Sequence, residues 1–261
     1  MLLSKFLKSK SFKKTYPYLF IVFIGECSLL ITEVFKRLFK RPFERSEVIQ
    51  SMSFVGSSSV PIIILTTFAS GAVLALYSAQ VLMRYGAGSL TGGMVALSIS
   101  REISPVLVGI MVTARCGSAM TAQIGTMAVT EQIDALRSLN VHPVSYLVIP
   151  RVLACVLMLP ILSIVGLFSG VLGGYLVATT HGISHHGFID SIQLFTVPHD
   201  FIWGMTKTVI FGFIIAIVSC QQGLRVWQGA LGVGRSTTGS VVSSMVLIYL
   251  ADYFLTSLFY R

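Results

Sequence analysis

Five long apolar runs alternate with short polar interruptions along this chain, and each run approaches or exceeds the roughly 20 residues needed to cross a bilayer as a helix. The first covers about Val55 to Leu82, an uncharged interval between Glu47 and Arg84. The second, about Ser89 to Met127, is long and carries Arg101, Glu102, Pro105 and Arg115. The third, Tyr146 to Thr179, has no charge after Arg151; the fourth, Phe201 to Cys220, contains Lys207; the fifth, about Thr238 to Phe259, has Asp252 near its end. Backbone amides in lipid must be satisfied within the spanning segment. The pattern therefore predicts an all-α, polytopic membrane protein.

Two polar stretches break the rhythm. Between the second and third runs lies Thr130 to Asn140, a charged island in which Val129, Ile133, Leu136 and Leu139 recur at helical spacing while Glu131, Asp134, Arg137 and Ser138 take other faces. That spacing predicts an amphipathic helix at about 129–140. Ahead of the first run, Lys5, Lys8, Lys10, Lys13 and Lys14 are interleaved with Leu2, Leu3, Phe6, Leu7 and Phe12, and Lys36, Arg37, Lys40, Arg41 and Arg45 follow. Basic and apolar residues mixed in this way favour a helix lying on an anionic leaflet. The apolar run from Tyr18 to Thr32 is broken by Glu26 and no small-residue cleavage site follows, so the segment reads as retained and not as a signal peptide. The chain divides into a basic interfacial region, 1–47, and a membrane domain, 48–261.

Composition supports the same class. Of 261 residues 54% are hydrophobic and 11% charged, against about 25% charged in a soluble domain. The net charge of +9 is concentrated, since ten of the nineteen Lys and Arg residues fall in the first 50 positions; with no reading motif beside them, a membrane surface explains them better than nucleic acid does. Basic residues also gather beside the island and the Gln221 to Arg235 loop, at Arg137, Arg151, Arg225 and Arg235. The positive-inside rule then places the N-terminus and the island in the cytoplasm, and the Tyr85 to Gly88 turn and the His181 to Asp200 loop outside. Small residues recur every four positions at Gly88, Gly92, Ala96 and Ser100, at Ala114, Ser118 and Ala122, at Gly117, Thr121 and Gly125, and at Gly166 and Gly170. Such stripes let helices approach closely in lipid, within one chain or across a dimer seam.

The candidate chemistry is sparse. Arg101 and Glu102 are expensive inside a membrane, at about 2.5 to 3.5 kcal/mol each on insertion scales, and Lys207 lies near the same outer side as a partner for Glu102. The set is either an ion pair that locks helices or the polar lining of a substrate path, and Pro105 predicts an irregular helix beside it. His181, His185, His186 and His199 lack the acids and spacing of a zinc site and read as loop residues. The four cysteines are widely separated and carry no metal or disulfide pattern. Gly232 to Thr238 is rich in glycine but lacks the Lys-Ser/Thr ending of a phosphate loop, and reads as a turn opening the fifth helix with Ser236 or a neighbouring Thr as cap. No nucleotide site is evident, so an ATP-driven function would need another subunit, and the island is shaped to dock with one. A gradient-driven secondary transporter of an amphipathic solute, using Glu102 or Asp252 as a protonatable group, is the alternative. A membrane enzyme is disfavoured because no nucleophile, base and metal ligands converge.

The run Arg101 to Leu107, then Ala114 to Ala119, Gly125 to Leu136, Pro143, Tyr146 to Ala154, Gly232 to Thr238 and Asp252 to Thr256 closely resembles the MlaE family of ABC transporter permeases in continuous order over about residues 45–260. The resemblance implies a non-enzymatic permease of five spans with an N-terminal interfacial helix. It implies a homodimer joined to two cytoplasmic ABC ATPases, which hold the ATP and Mg, while this chain binds no cofactor or metal. It also implies transport of phospholipid between a bacterial inner membrane and an MCE-domain binding protein, as in the maintenance of outer-membrane lipid asymmetry. A chloroplast inner-envelope version would look alike. By the same resemblance Glu131, Gln132, Ile133, Asp134, Leu136, Arg137 and Leu139 belong to the coupling helix that meets the ATPase. Arg101, Glu102 and Lys207 lie near the lipid cavity, and Arg115 and Arg235 give cytoplasmic support. The chain departs from the family pattern at Gln123 and Ala128, where charged side chains are expected.

Overall fold

A computed structural model describes residues 16–38, 45–227 and 229–259. The lysines of positions 5–14, together with Lys40 and Arg41, lie outside the described residues. Every regular element is helical: α1 (Tyr16–Leu38), α2 (Arg45–Val55), α3 (Val60–Arg84), α4 (Thr91–Ser98), α5 (Ser104–Val112), α6 (Ser118–Val129), α7 (Gln132–Ser138), α8 (Ile149–Thr180), α9 (His185–Phe195), α10 (Pro198–Leu224) and α11 (Gly229–Phe259). Among the described residues five segments are long and apolar enough to cross a membrane, namely Ser46–Arg84, Gly88–Val129, Val144–Thr180, Pro198–Leu224 and Gly229–Phe259. The protein is therefore an all-α, multi-pass membrane protein.

The second span is continuous but not uniform. Wider π turns at Ile99–Ile103 and Thr113–Gly117 separate α4, α5 and α6, and they contain Arg101, Glu102 and Arg115, the charged residues of this span. A third π turn, Val144–Val148, opens the third span ahead of α8. Such turns shift the register of the side chains beyond them and occur often at functional sites.

Small residues hold the bundle together. A Cβ on Gly71 of α3 would stand 1.9 Å from the Gly170 carbonyl of α8, and one on Gly173 would stand 2.2 Å from the Phe68 carbonyl. These two helices are in backbone contact, and the only side chain that fits is none. Gly117 and Gly125 face Ser219 and Val226 beside α10, whereas Ala114 is exposed and Ser118 and Ala122 half-buried. The two stripes on the second span thus have different fates, one closed against the chain's own helix and one open. Hydroxyls add cross-links: Thr121 donates to the Ser219 carbonyl at 3.0 Å and Ser169 to the Ile64 carbonyl at 2.9 Å.

Gly232 to Thr238 is not a turn. It lies inside α11, which begins at Gly229, and the reversal of the chain uses the positive φ of 63° at Gly229 itself. The hydroxyls of Thr237 and Thr238 bond back to the Gly234 carbonyl at 2.7 and 3.2 Å, within a helix that the glycines continue.

Candidate functional site

The two ends of the bundle carry different equipment. At the end formed by the start of the second and fourth spans and the close of the fifth, Lys207 of α10 is fully buried. Its Nζ donates to Glu102 Oε1 at 2.8 Å, Asp252 Oδ1 at 3.1 Å, Thr256 Oγ1 at 2.6 Å and the Arg101 carbonyl at 3.1 Å. The last of these has a cause in the sequence. Pro105 has no N–H to offer the carbonyl four residues before it, and that carbonyl belongs to Arg101. Thr256 also donates to Glu102 Oε1 at 2.9 Å. One ammonium thus ties the π turn of the second span to the fourth and fifth spans.

Arg101 itself turns away to Asp200, with its guanidinium 2.7 Å from Oδ1. Asp200 is almost fully buried and accepts from the Val197 backbone N–H at 3.3 Å at the start of α10. The pairing of Glu102 with Lys207 matches the sequence expectation. Asp200, the end of the outer loop by sequence, is instead a buried partner of Arg101, and Asp252 and Thr256 join a site to which sequence spacing had not assigned them. The signal for Asp252 was its cost in an apolar span. The 182–197 segment closes over this end: α9 lies against Gly92 and Gly93, where an added Cβ would meet the Phe188 carbonyl at 2.2 Å and the Ser191 carbonyl at 2.5 Å. His185 bonds the Tyr175 hydroxyl at 2.8 Å and His199 packs edge-on against Trp203.

At the opposite end stands the island. The helix is shorter than expected, α7 covering Gln132–Ser138, and it is set off by left-handed residues on both sides, Glu131 and Asn140, each with φ of 60°. Those left-handed residues turn the backbone, so the segment is an angled insert and not a continuation of α6. Ile133 is buried and Leu136 packs against the core, but Leu139 is 74% exposed and Val129 is exposed as well. The expected four-residue apolar stripe is therefore split, because the left-handed turns rotate its ends away from the bundle. Leu139, Gln132, Glu131 and the Asp134–Arg137 pair, bonded at 2.9 Å, all face outward.

Behind the island, His142 Nε2 lies 3.1 Å from Glu33 Oε1 of α1. Its buried Nδ1 has no hydrogen-bond partner among the described residues. A second proton on this ring would have nowhere to bond. Burial, with Arg37 and Arg137 nearby, accordingly holds the imidazole below its ordinary range, and Glu33 offsets this only in part. Arg115 donates to Ser59 Oγ at 2.9 Å and the Phe54 carbonyl at 3.3 Å, fastening the second span to the α2–α3 corner. Arg235 is exposed on α11. Gln123 accepts from Arg151 at 3.3 Å, so the uncharged residue at this position is tied to the third span.

With both ends in view, comparison with known proteins is decisive. The family model described as Permease MlaE matches residues 48–258. The chain belongs to the MlaE permease family. It is 41% identical over 239 residues to a probable ABC transporter permease protein of Rickettsia felis, an alignment covering 91% of this chain and 92% of that one. It is 40% identical over 233 residues to a probable ABC transporter permease protein of Synechocystis, covering 89% of each. It is also 36% identical over 234 residues, 89% of this chain and 67% of the other, to the protein trigalactosyldiacylglycerol 1, chloroplastic, of Arabidopsis thaliana. The family match includes the polar network, the island and all five spans.

Proposed function

We propose that this chain is the permease subunit of an ABC transporter for phospholipid, working as a pair of identical copies with two cytoplasmic ATPases and an MCE-domain binding protein on the opposite side. The observation that carries this reading is the division of one helical bundle into an outward-facing polar insert at one end and a buried ion network at the other. In this reading α7 and its flanking turns, with Glu131, Gln132, Asp134, Arg137 and Leu139 exposed, dock into the ATPase. Arg101, Glu102 and Lys207, joined by Asp252 and Asp200, border the lipid path. ATP and Mg²⁺ belong to the ATPase subunits, and this chain performs no covalent chemistry. It converts a change in motor separation into a shift between two arrangements of the spans, which requires the motor to bind them with different affinity.

Two observations support a paired assembly. Only 11% of the most apolar stretch of α11 is buried within the chain, against 50% for the second and fourth spans. On the second span Ala114 is exposed and Ser118 and Ala122 are only half-buried. Together they offer a lipid-facing surface with small residues on which a second copy can pack. The names of the relatives support an ABC transporter, and the chloroplast relative, named for a glycolipid, supports a lipid cargo. The basic residues of the island end support a cytoplasmic side for it, and in this reading the chain works in a bacterial inner membrane or a chloroplast inner envelope.

Affinity purification of the tagged chain from native membranes tests the assembly. An ABC ATPase, an MCE-domain protein and bound phospholipid should accompany it. Recovery of the chain alone, with no ATPase after mild solubilisation and cross-linking, would refute the reading.

A further inference from the structure

The interfacial helix α1 carries two acids seven residues apart, Glu26 and Glu33, which two helical turns place on one face. Each reaches a different part of the island end, one the loop after α7 and the other the end of α10. Glu33 Oε1 meets His142, which follows the island, at 3.1 Å, and its own Arg37 at 3.3 Å. Glu26 Oε2 accepts from Gln221 Nε2 at 2.6 Å and lies 3.6 Å from Arg225, both at the end of the fourth span. Between these two ties α1 is seated by apolar contact, with Leu30 and Val34 buried and the Phe35 ring 6.0 Å from that of Phe213 on α10.

A cleft of about 1090 Å³ opens between α1 and α7, lined among others by Leu30, Glu33, Arg37, Asp134, Arg137 and His142. Glu33 and His142, 3.1 Å apart, stand on its two sides. Gln221 and Lys207 sit on the same helix fourteen residues apart, about 21 Å at 1.5 Å per residue. A push on the island therefore has a physical route to the buried network: through His142 to Glu33, along α1 to Glu26, and through Gln221 to the rod of α10.

We propose that Glu26 and Glu33 make α1 a strap that positions the island against the fourth span and transmits the motor's movement to the Lys207 network. The strap is more than a membrane anchor. An anchor needs only the apolar face of α1, whereas its two acids bond the loop that follows the island and the end of α10. The inference depends on the ABC permease reading and adds to it two positioning residues that do not touch motor or lipid.

The test reconstitutes the full chain with its co-purified ATPase in phospholipid vesicles and measures lipid moved per ATP hydrolysed. Glu26→Gln with Glu33→Gln should leave ATPase binding and basal hydrolysis as in the parent while lowering transport per ATP about fivefold or more, the lower end of ordinary allosteric coupling. The charge-swapped pair Glu26→Arg with Arg225→Glu should recover coupling relative to Glu26→Arg alone. Full transport per ATP in the double glutamine variant overturns the strap, and so does a swap that restores nothing, since the loss would then come from packing. An unaltered chain that binds no ATPase overturns the permease reading itself, which separates the two failures.

Discussion

Replacing Lys207 with Met removes the one ammonium shared by Glu102 and Asp252 while keeping the length and apolar stem of the side chain. Lys207 is wholly buried and gives four hydrogen bonds of 2.6 to 3.1 Å, so the variant strands two carboxylates and a carbonyl that Pro105 already deprives of a backbone donor. Breaking a buried ion pair from one side costs about 3 to 5 kcal/mol. The Glu102 side chain is 38% exposed and draws some hydration, which places the expected loss near the lower limit, about 3 kcal/mol. Neutralising the whole group in Lys207→Met, Glu102→Gln, Asp252→Asn should recover most of that stability, because an apolar or neutral replacement of a complete ionic cluster is close to isoenergetic. Lipid transport, however, should stay lost. The assay is reversible denaturant unfolding in mixed micelles alongside transport in vesicles. A single variant as stable as the parent refutes the electrostatic argument, and a triple variant that transports normally shows the network to be only a helix lock.

Reversing the island's charge with Glu131→Lys and Asp134→Arg should abolish stimulated ATP turnover without changing the melting of the permease; undiminished transport would remove the island as the coupling element. Gly71→Ala forces a methyl group into the Gly170 carbonyl, 1.9 Å away, and should cost about 1 to 3 kcal/mol as α3 and α8 separate, so unchanged unfolding would contradict the backbone contact described here. His142 is held below its ordinary range by burial and by Arg37 and Arg137, against Glu33. As pH falls below about 6.5 the unfolded chain takes up the proton first. The stability His142 contributes is thus complete above that pH and declines as pH drops towards the folded value. His142→Asn should flatten this part of the stability profile, and a slope identical to the parent's would assign it elsewhere.

The spans were legible because hydropathy is a property of whole segments, and their apolar windows lie within the helices observed. The Glu102–Lys207 pair was legible for a related reason: a charge in lipid is costly enough to require a partner, and each residue sat at a similar depth. Asp200 was not, because its burial comes from the start of α10 packing against the π turn that carries Arg101, a tertiary event with no local signature. The island's existence followed from its charge, but the fate of Leu139 did not. That residue is turned outward by left-handed backbone at Glu131 and Asn140, and nothing in the identity of a glutamate announces that conformation. The glycines of 232–238 misled in the opposite direction: they lie inside α11, with Gly234 in open space, so glycine there marks no turn. Pro105 marked the irregular turn correctly, and only the structure supplied the donor that answers it, Lys207.

If motion enters at the island and is used at the ion network, phospholipid transfer by the purified chain in vesicles depends on the motor. With its ATPase and an acceptor MCE-domain protein present, transfer should require ATP hydrolysis, cease when the ATPase is omitted, and show no response to an imposed proton gradient. Transfer by the chain alone, driven by that gradient and lost on Glu102→Gln or Asp252→Asn, would contradict it and identify a secondary transporter instead.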